Sequence, residues 1–202
     1  IKKIMKRIGL TGGIGSGKTC VSKVFQTLGI PIFNADKIAK EYMQSSDKLK
    51  EAIKELFGNN VIKKGILQNK ILAEIVFNDN EKLIQLNRLV HPFVLEIFDK
   101  WQKKQNAFFV LKEAAILFES GAYKKLDAVI CVSAPMRVKI ERVMKRDNCT
   151  KKKVLKRMNN QMPENEKEKL SDFVILNDGK ERLLPQILDI FDRINNLQES
   201  IH

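Results

Sequence analysis

The period of the hydrophobic positions changes along this chain, and the changes divide it into elements. Residues 3–11 carry Ile4, Ile8 and Leu10 into a glycine cluster, which predicts a strand ending in a loop. Over 18–28, Val21, Val24, Phe25 and Leu28 recur at helical spacing, and Gly29 supplies the stop. Residues 30–33 predict a short buried strand with Pro31 near its start. From 36 to 105 the character is helical with almost no strand signal. Apolar residues there fall on helical faces over 38–43, 49–57, 71–77, 83–89 and 93–101. Gly58-Asn59-Asn60 and Asn78-Asp79-Asn80 mark turns in this stretch, and Trp101 reads as a core residue.

Alternation then resumes. Residues 108–111 predict a strand, 114–120 a loop or short helix, and 127–132 a buried strand. Pro135 takes the first position of a helix running to about Arg146, with Ser133 near its cap. Residues 151–162 predict a basic amphipathic helix whose stripe is Val154, Leu155, Met158 and Met162. A last strand at 173–176 turns at Asn177-Asp178-Gly179 into a closing helix over 183–197. That helix points Leu184, Ile187, Leu188, Phe191 and Ile194 inward. Short apolar strands alternating with helices imply an α/β fold, a parallel β-sheet covered by helices on both faces. The stretch 36–105 reads as a helical insertion into a core made of 1–35 and 106–202.

Composition narrows the class. The chain of 202 residues is long enough to bury a core, and at 44% hydrophobic it is no disordered chain. No run approaches the roughly 20 apolar residues of a membrane span. Residues 1–7 carry charge with no apolar core behind them, which is not the pattern of a secretory signal. Cys20, Cys131 and Cys149 are scattered, without C-x-x-C. They predict a reducing, cytoplasmic setting, with each cysteine a small apolar filler. The net charge of +13 suggests an anionic partner. Between Arg137 and Lys169, 12 basic side chains face 5 acidic ones, a balance of 12 − 5 = +7. Charge alone reads more readily as a solvated helical face than as a polyphosphate or nucleic-acid clamp.

The chemistry is concentrated at 12–19. Gly12-Gly13-Ile14-Gly15-Ser16-Gly17-Lys18-Thr19 fits G-x-x-x-x-G-K-[ST], with a strand before it and a helix after. Backbone N–H groups that converge on a phosphate need unusual dihedrals, which glycine adopts at no steric cost. The loop also feeds a helix N-terminus, whose dipole favours an anion. Gly13, Ile14, Gly15, Ser16 and Gly17 are the expected ATP cradle. Lys18 is placed to reach the β- and γ-phosphates, and Thr19 offers a hydroxyl to Mg2+. The chain has no N-K-x-D guanine motif, and its length leaves little room for the coupling machinery of a motor ATPase. A small kinase needs a base, an acceptor site and a lid, and the chain has candidates for each.

Asp36 follows the second strand, at the carboxyl end where ligands sit in open α/β sheets. Position leaves two roles open to it: proton acceptor for an attacking hydroxyl, or helix N-cap. Arg142 and Arg146 share a helix face at a cost of roughly 0.2–0.5 kcal/mol. They are either a polyphosphate clamp or two solvated arginines. Arg157 and Gln161 repeat that spacing. His91, before Pro92, is a structural group or a catalyst. Glu113 and Glu119, around the third strand, reach metal-bound water or an acceptor hydroxyl, or cap a helix.

Taken together these residues resemble the dephospho-coenzyme A kinase family, over nearly the whole chain. Residues 9–18, Gly-Leu-Thr-Gly-Gly-Ile-Gly-Ser-Gly-Lys, are similar to that family's opening. Ile32-Phe33-Asn34-Ala35-Asp36, Val90-His91-Pro92, Leu117-Phe118-Glu119, the segment 142–147 and Asn177-Asp178-Gly179 follow in the family's order. The resemblance implies a P-loop kinase core with a helical substrate-binding insertion and a helical lid over about 148–172. It implies transfer of the γ-phosphoryl group of ATP to the 3′-hydroxyl of the ribose of dephospho-CoA, with Mg2+. Asp36 matches the catalytic aspartate, and Lys18, Arg142 and Arg146 join it as catalytic candidates. Asn177 matches a residue near the adenine of ATP. Asp36, His91 and Glu119 are the acceptor-binding candidates, with Thr19 for the metal. ATP and dephospho-CoA are the implied partners, and neither nucleic acid nor membrane is among them. The chain departs from the family at Asn34, where aspartate is common, and at Ala115, where proline is usual. Two other readings compete: another small P-loop kinase, for a nucleoside, nucleotide or sugar acid, and a nucleic-acid-binding ATPase. The second lacks an array of stacking aromatics in its basic window.

Overall fold

The computed structural model describes residues 5–196. β1 (Lys6–Thr11) leads through the glycine-rich turn into α1 (Lys18–Thr27), and β2 (Ile32–Asn34) follows. Residues 3, 4 and 197 of the expected elements lie outside the described residues. Next come α2 (Ala35–Ser45), α3 (Asp47–Phe57), β3 (Ile62–Lys63), β4 (Ile66–Leu67), α4 (Asn69–Asn78) and α5 (Asn80–Gln102). The rest is β5 (Phe109–Glu113), β6 (Ala128–Ser133), α6 (Met136–Asp147), α7 (Lys151–Met158), α8 (Glu164–Lys169), β7 (Phe173–Leu176) and α9 (Leu183–Asn196). The described residues fall into two units, 5–33 with 105–196, and Asn34–Lys104.

In the first unit the strand order is β2-β5-β1-β6-β7, and β1 pairs parallel with β5 and β6, as does β6 with β7. Every residue of β5 and β6 is buried, as in a parallel sheet covered on both faces. β7, at the edge, alternates buried and exposed. Ile8, Leu10, Phe25, Leu111, Ile130 and Ile187 form the centre of the core. The register sets Leu10 beside Glu113 and Thr11 beside Cys131, so β1 and β5 end where the glycine loop begins and β6 runs two residues further, to Ser133.

Three details differ from the sequence reading. α9 buries Ile187, Ile190 and Ile194, whereas Leu184 and Leu188 are exposed at 53% and 38%. Pro135 is the N-cap of α6 rather than its first residue, and no side chain caps that helix. The basic helix ends at Met158, and Pro163 then caps the separate helix α8. Proline biases the residue before it away from helical dihedrals, so Met162 cannot extend the stripe. Val154 is fully buried against Ile140 and Val143, with Leu155 and Met158 beside it.

The second unit has its own core, with Leu49, Ile53, Val61, Leu67 and Phe98 buried. Its β3–β4 hairpin was not expected. Two residues a strand are too few to show a period, and the turn signal is Lys64-Gly65, both at positive φ. α5 runs unbroken through Pro92, where the apolar pattern predicts two helical stretches, and Asp79 caps it by accepting from the N–H groups of Glu81 and Lys82. Trp101 is half-buried and stacks on Phe98, ring centroids 6.0 Å apart. Among the described residues no helix is long and apolar enough to cross a membrane.

Candidate active site

The loop between β1 and α1 is built around backbone that approaches too closely for side chains. Gly15 has φ 82°, and a Cβ there would meet the Lys139 carbonyl oxygen at 2.6 Å. Gly17 has φ 100°, and its Cβ would meet Asn177 Nδ2 at 2.1 Å. Both positions therefore demand glycine twice over, by dihedral and by space. Ser16 N–H donates to the Gly13 carbonyl at 3.1 Å, which tightens the turn. Lys18 Nζ folds over the loop and donates to the carbonyls of Gly12 at 2.8 Å and Gly13 at 3.3 Å. Thr11 Oγ1 and Ser16 Oγ are buried without a hydrogen-bond partner. Thr19 Oγ1 donates to Glu113 Oε1 at 3.4 Å, joining the start of α1 to the end of β5.

Arg142 closes the far side of the loop. It donates from Nη1 to the carbonyl oxygens of Ser16 and Asn177, and from Nη2 to Asn177 Oδ1. Asn177 Nδ2 donates to the Ser16 carbonyl at 2.8 Å. Arg142 and Asn177 are thus brought together at the loop. Arg146 is not with them: it pairs with Asp147 at 2.7 Å, which also accepts from Arg157 Nη1 at 2.5 Å. Hydrogen bonds from Arg146 and then Arg157 hold the Asp147 carboxyl far below the usual carboxylate range.

The segment after α7 covers the loop. Ile14 N–H donates to Gln161 Oε1 at 2.9 Å. Glu164 pairs with Lys139, whose side chain is 6% exposed. Ser133 donates to Glu168, and the fully buried Lys167 donates to the Ala115 carbonyl and pairs with Glu119 at 2.8 Å. Glu119 Oε1 also accepts from Met162 N–H at 2.8 Å. Glu164 and, one helical turn on, Lys167 and Glu168 anchor α8 to the core by charged side chains. Beneath it, burial, with the Glu164 and Glu168 carboxylates adding to it, pushes the Cys131 thiol up to about 12. Cys131 is a buried filler, but Cys20 is exposed on α1.

Sequence reasoning missed Lys139, Lys167 and Glu164. Their spacing looks like a solvated face, and the one hint was a lysine in a helix that also carries Ile140 and Val143.

Asp36 and His91 belong to the second unit. Asn34 caps α2, its Oδ1 accepting from Lys37 N–H at 2.9 Å, so the cap is not Asp36. Aspartate and asparagine cap equally well, which accounts for Asn34 where the family often has aspartate. Asp36 lies one residue inside the helix, half-buried, and His91 is half-buried within α5.

A parallel sheet whose central strand ends in this loop defines the P-loop nucleotide-binding class, to which P-loop kinases belong. A family model described as Dephospho-CoA kinase matches residues 6–182. The sequence is 34% identical over 197 residues to a dephospho-CoA kinase of Bacteroides fragilis (strain YCH46), covering 97% of this chain and 95% of that protein. A crystal structure from Thermus thermophilus is similar with a TM-score of 0.82 at 32% identity, covering 99% of this chain and 100% of the other. The structure of a dephospho-CoA kinase from Campylobacter jejuni gives a TM-score of 0.64 at 29% identity, covering 98% and 100%. The chain belongs to the dephospho-CoA kinase family.

Proposed function

We propose that the protein transfers the γ-phosphoryl group of ATP to the 3′-hydroxyl of the ribose of dephospho-CoA, giving CoA and ADP. The observation that carries this is the glycine loop at the end of β1 with Lys18 folded across it, in a member of this family. The hydroxyl oxygen bonds to the γ-phosphorus as the bond to the β–γ bridging oxygen breaks. The hydroxyl proton goes to the Asp36 carboxylate. Lys18 follows the charge on the β- and γ-phosphates, and the amides of 13–17 fix them. Arg142 supports the loop through its carbonyls, Arg146 adds positive charge, and Asn177 lies near the adenine. His91 and Glu119 contact the acceptor. Asn34–Lys104 forms the acceptor-binding unit, and residues 148–172 act as the lid.

The donor set suits Mg2+. No cluster of three or more His, Cys, Asp or Glu side chains able to hold a metal occurs among the described residues. Mg2+ needs none, because it takes one or two protein oxygens and completes its shell with water and phosphate. The Thr19 hydroxyl would hold it, with Glu113 placed to orient its waters. When bound it neutralises charge on the β- and γ-oxygens. The reaction belongs in the cytoplasm, where ATP is available.

ADP release is the test, measured with ATP and Mg2+ in the presence of dephospho-CoA, adenosine, AMP or gluconate. Release that depends on dephospho-CoA, with a 3′-phosphorylated product by mass, is expected. Release that responds to another acceptor and ignores dephospho-CoA would overturn the substrate. Silence with all four would overturn the kinase.

A further inference from the structure

Two side-chain oxygens of the chain itself, one amide and one carboxylate, already lie over the loop expected to take phosphate oxygens. Gln161 Oε1 accepts the Ile14 N–H. The Glu164 carboxylate lies over Gly13, with Oε1 3.6 Å from where a Cβ on that glycine would sit. One Glu164 oxygen pairs with Lys139, and the other, Oε1, is buried with no hydrogen-bond partner. Lys139 Nζ is the same 3.6 Å from that point, and the Lys139 carbonyl packs on Gly15. A nearly buried ammonium is thus aimed at the phosphate loop from α6.

We propose that Lys139 is a further phosphate-contacting residue of the reaction, and that Glu164 and Gln161 are internal stand-ins for phosphate. This rests on nucleotide binding at the loop. A buried ammonium needs an anionic partner in every state, since an unpaired one costs several kcal/mol. The Glu164 carboxylate and a triphosphate cannot both occupy the space over Gly13, because two like charges there repel without solvent between them. Binding therefore exchanges partners: Lys139 passes from Glu164 to phosphate, and Ile14 N–H passes from Gln161 to phosphate. Charge beside Lys139 is conserved in the exchange. Lys167 and Glu168 still fasten α8 through Glu119, Ala115 and Ser133, so only the stretch 159–164 has to give way. The lid is then coupled to the nucleotide by an ion pair that must break.

The test compares the wild type with Glu164→Gln, Lys139→Gln and the double variant. Equilibrium binding of ATP without acceptor, of tripolyphosphate and of adenosine is measured. Glu164→Gln removes the competing charge and should tighten ATP and tripolyphosphate about tenfold. Lys139→Gln should weaken both about tenfold, and the double variant should match Lys139→Gln. Adenosine binding should not change. A purely structural pair would lower the melting temperature of all three variants and leave both affinities where they were; that result overturns the proposal, as does weaker binding by Glu164→Gln. Should Glu164→Gln fail to fold, Gln161→Ala gives the same answer, because it frees the Ile14 N–H and should tighten tripolyphosphate. A wild type that binds no ATP defeats the kinase reading itself. One that binds ATP normally while the variants are unchanged defeats only the role of Lys139.

Discussion

Lys167 is a residue whose charge is fully removed from water, and its pairing partner is not. The Lys167 side chain is 0% exposed and that of Glu119 is 21%. Removing one member of a buried pair costs most when the charge left behind is the buried one. Glu119→Ala leaves Lys167 donating to the neutral Ala115 carbonyl and should cost about 3 kcal/mol. Lys167→Met leaves Glu119 with the Met162 N–H and with solvent, and should cost clearly less. Chemical denaturation of the two variants checks the order, and equal losses would mean the pair is solvated in solution. Nothing in the sequence distinguishes Lys167 from its neighbours Lys169 and Lys156. Phosphate-loop residues are different: Gly15 and Gly17 stand out because only their type meets the dihedral and the space at once.

At the scale of elements, what the sequence reveals depends on length and burial. β5, β6 and α1 are apolar runs or stripes long enough to show their period, and they lie where the pattern puts them. The β3–β4 hairpin is too short for that, and α5 hides its continuity because proline inside a helix ordinarily ends it. The break between α7 and α8 was signalled by Asn159, Asn160 and Pro163, but the basic charge of the window masked it. The junction of α6 and α7 is held by Asp147 between Arg146 and Arg157. A carboxyl with a lowered folded-state pKa stabilises the fold above its unfolded value, near 3.8, and loses that contribution as pH falls below it. The melting temperature of the wild type should therefore exceed that of Asp147→Asn at neutral pH. The gap should narrow progressively as pH falls below about 4. A gap that stays constant into acid would show that Asp147 acts through packing and not through charge.

Across the whole molecule, the residues that shape the nucleotide loop fall in one unit, with Glu119, and two of the three proposed for the acceptor fall in the other. Lys18, Thr19, Arg142 and Asn177 belong to the first unit, and Asp36 and His91 to the second. Nucleotide binding and proton acceptance should then separate under mutation. A ligand at 100 times its dissociation constant stabilises a fold by about 2.7 kcal/mol. At ~2–4 °C per kcal/mol for a chain of this size, saturating ATP should raise the melting temperature by about 5–10 °C. Asp36→Asn should keep that rise while turnover falls by about 10²–10⁴, the range a general base contributes. Lys18→Ala should lose turnover and most of the rise together, because its charge acts on bound nucleotide and on the transition state alike. Thermal unfolding with and without ATP, alongside the ADP-release assay, reads both quantities on the same protein. If Asp36→Asn lost the ATP-induced rise as well, Asp36 would be part of nucleotide binding. If it kept full turnover, the proton would leave by another route, and the aspartate at the start of α2 would serve the fold alone.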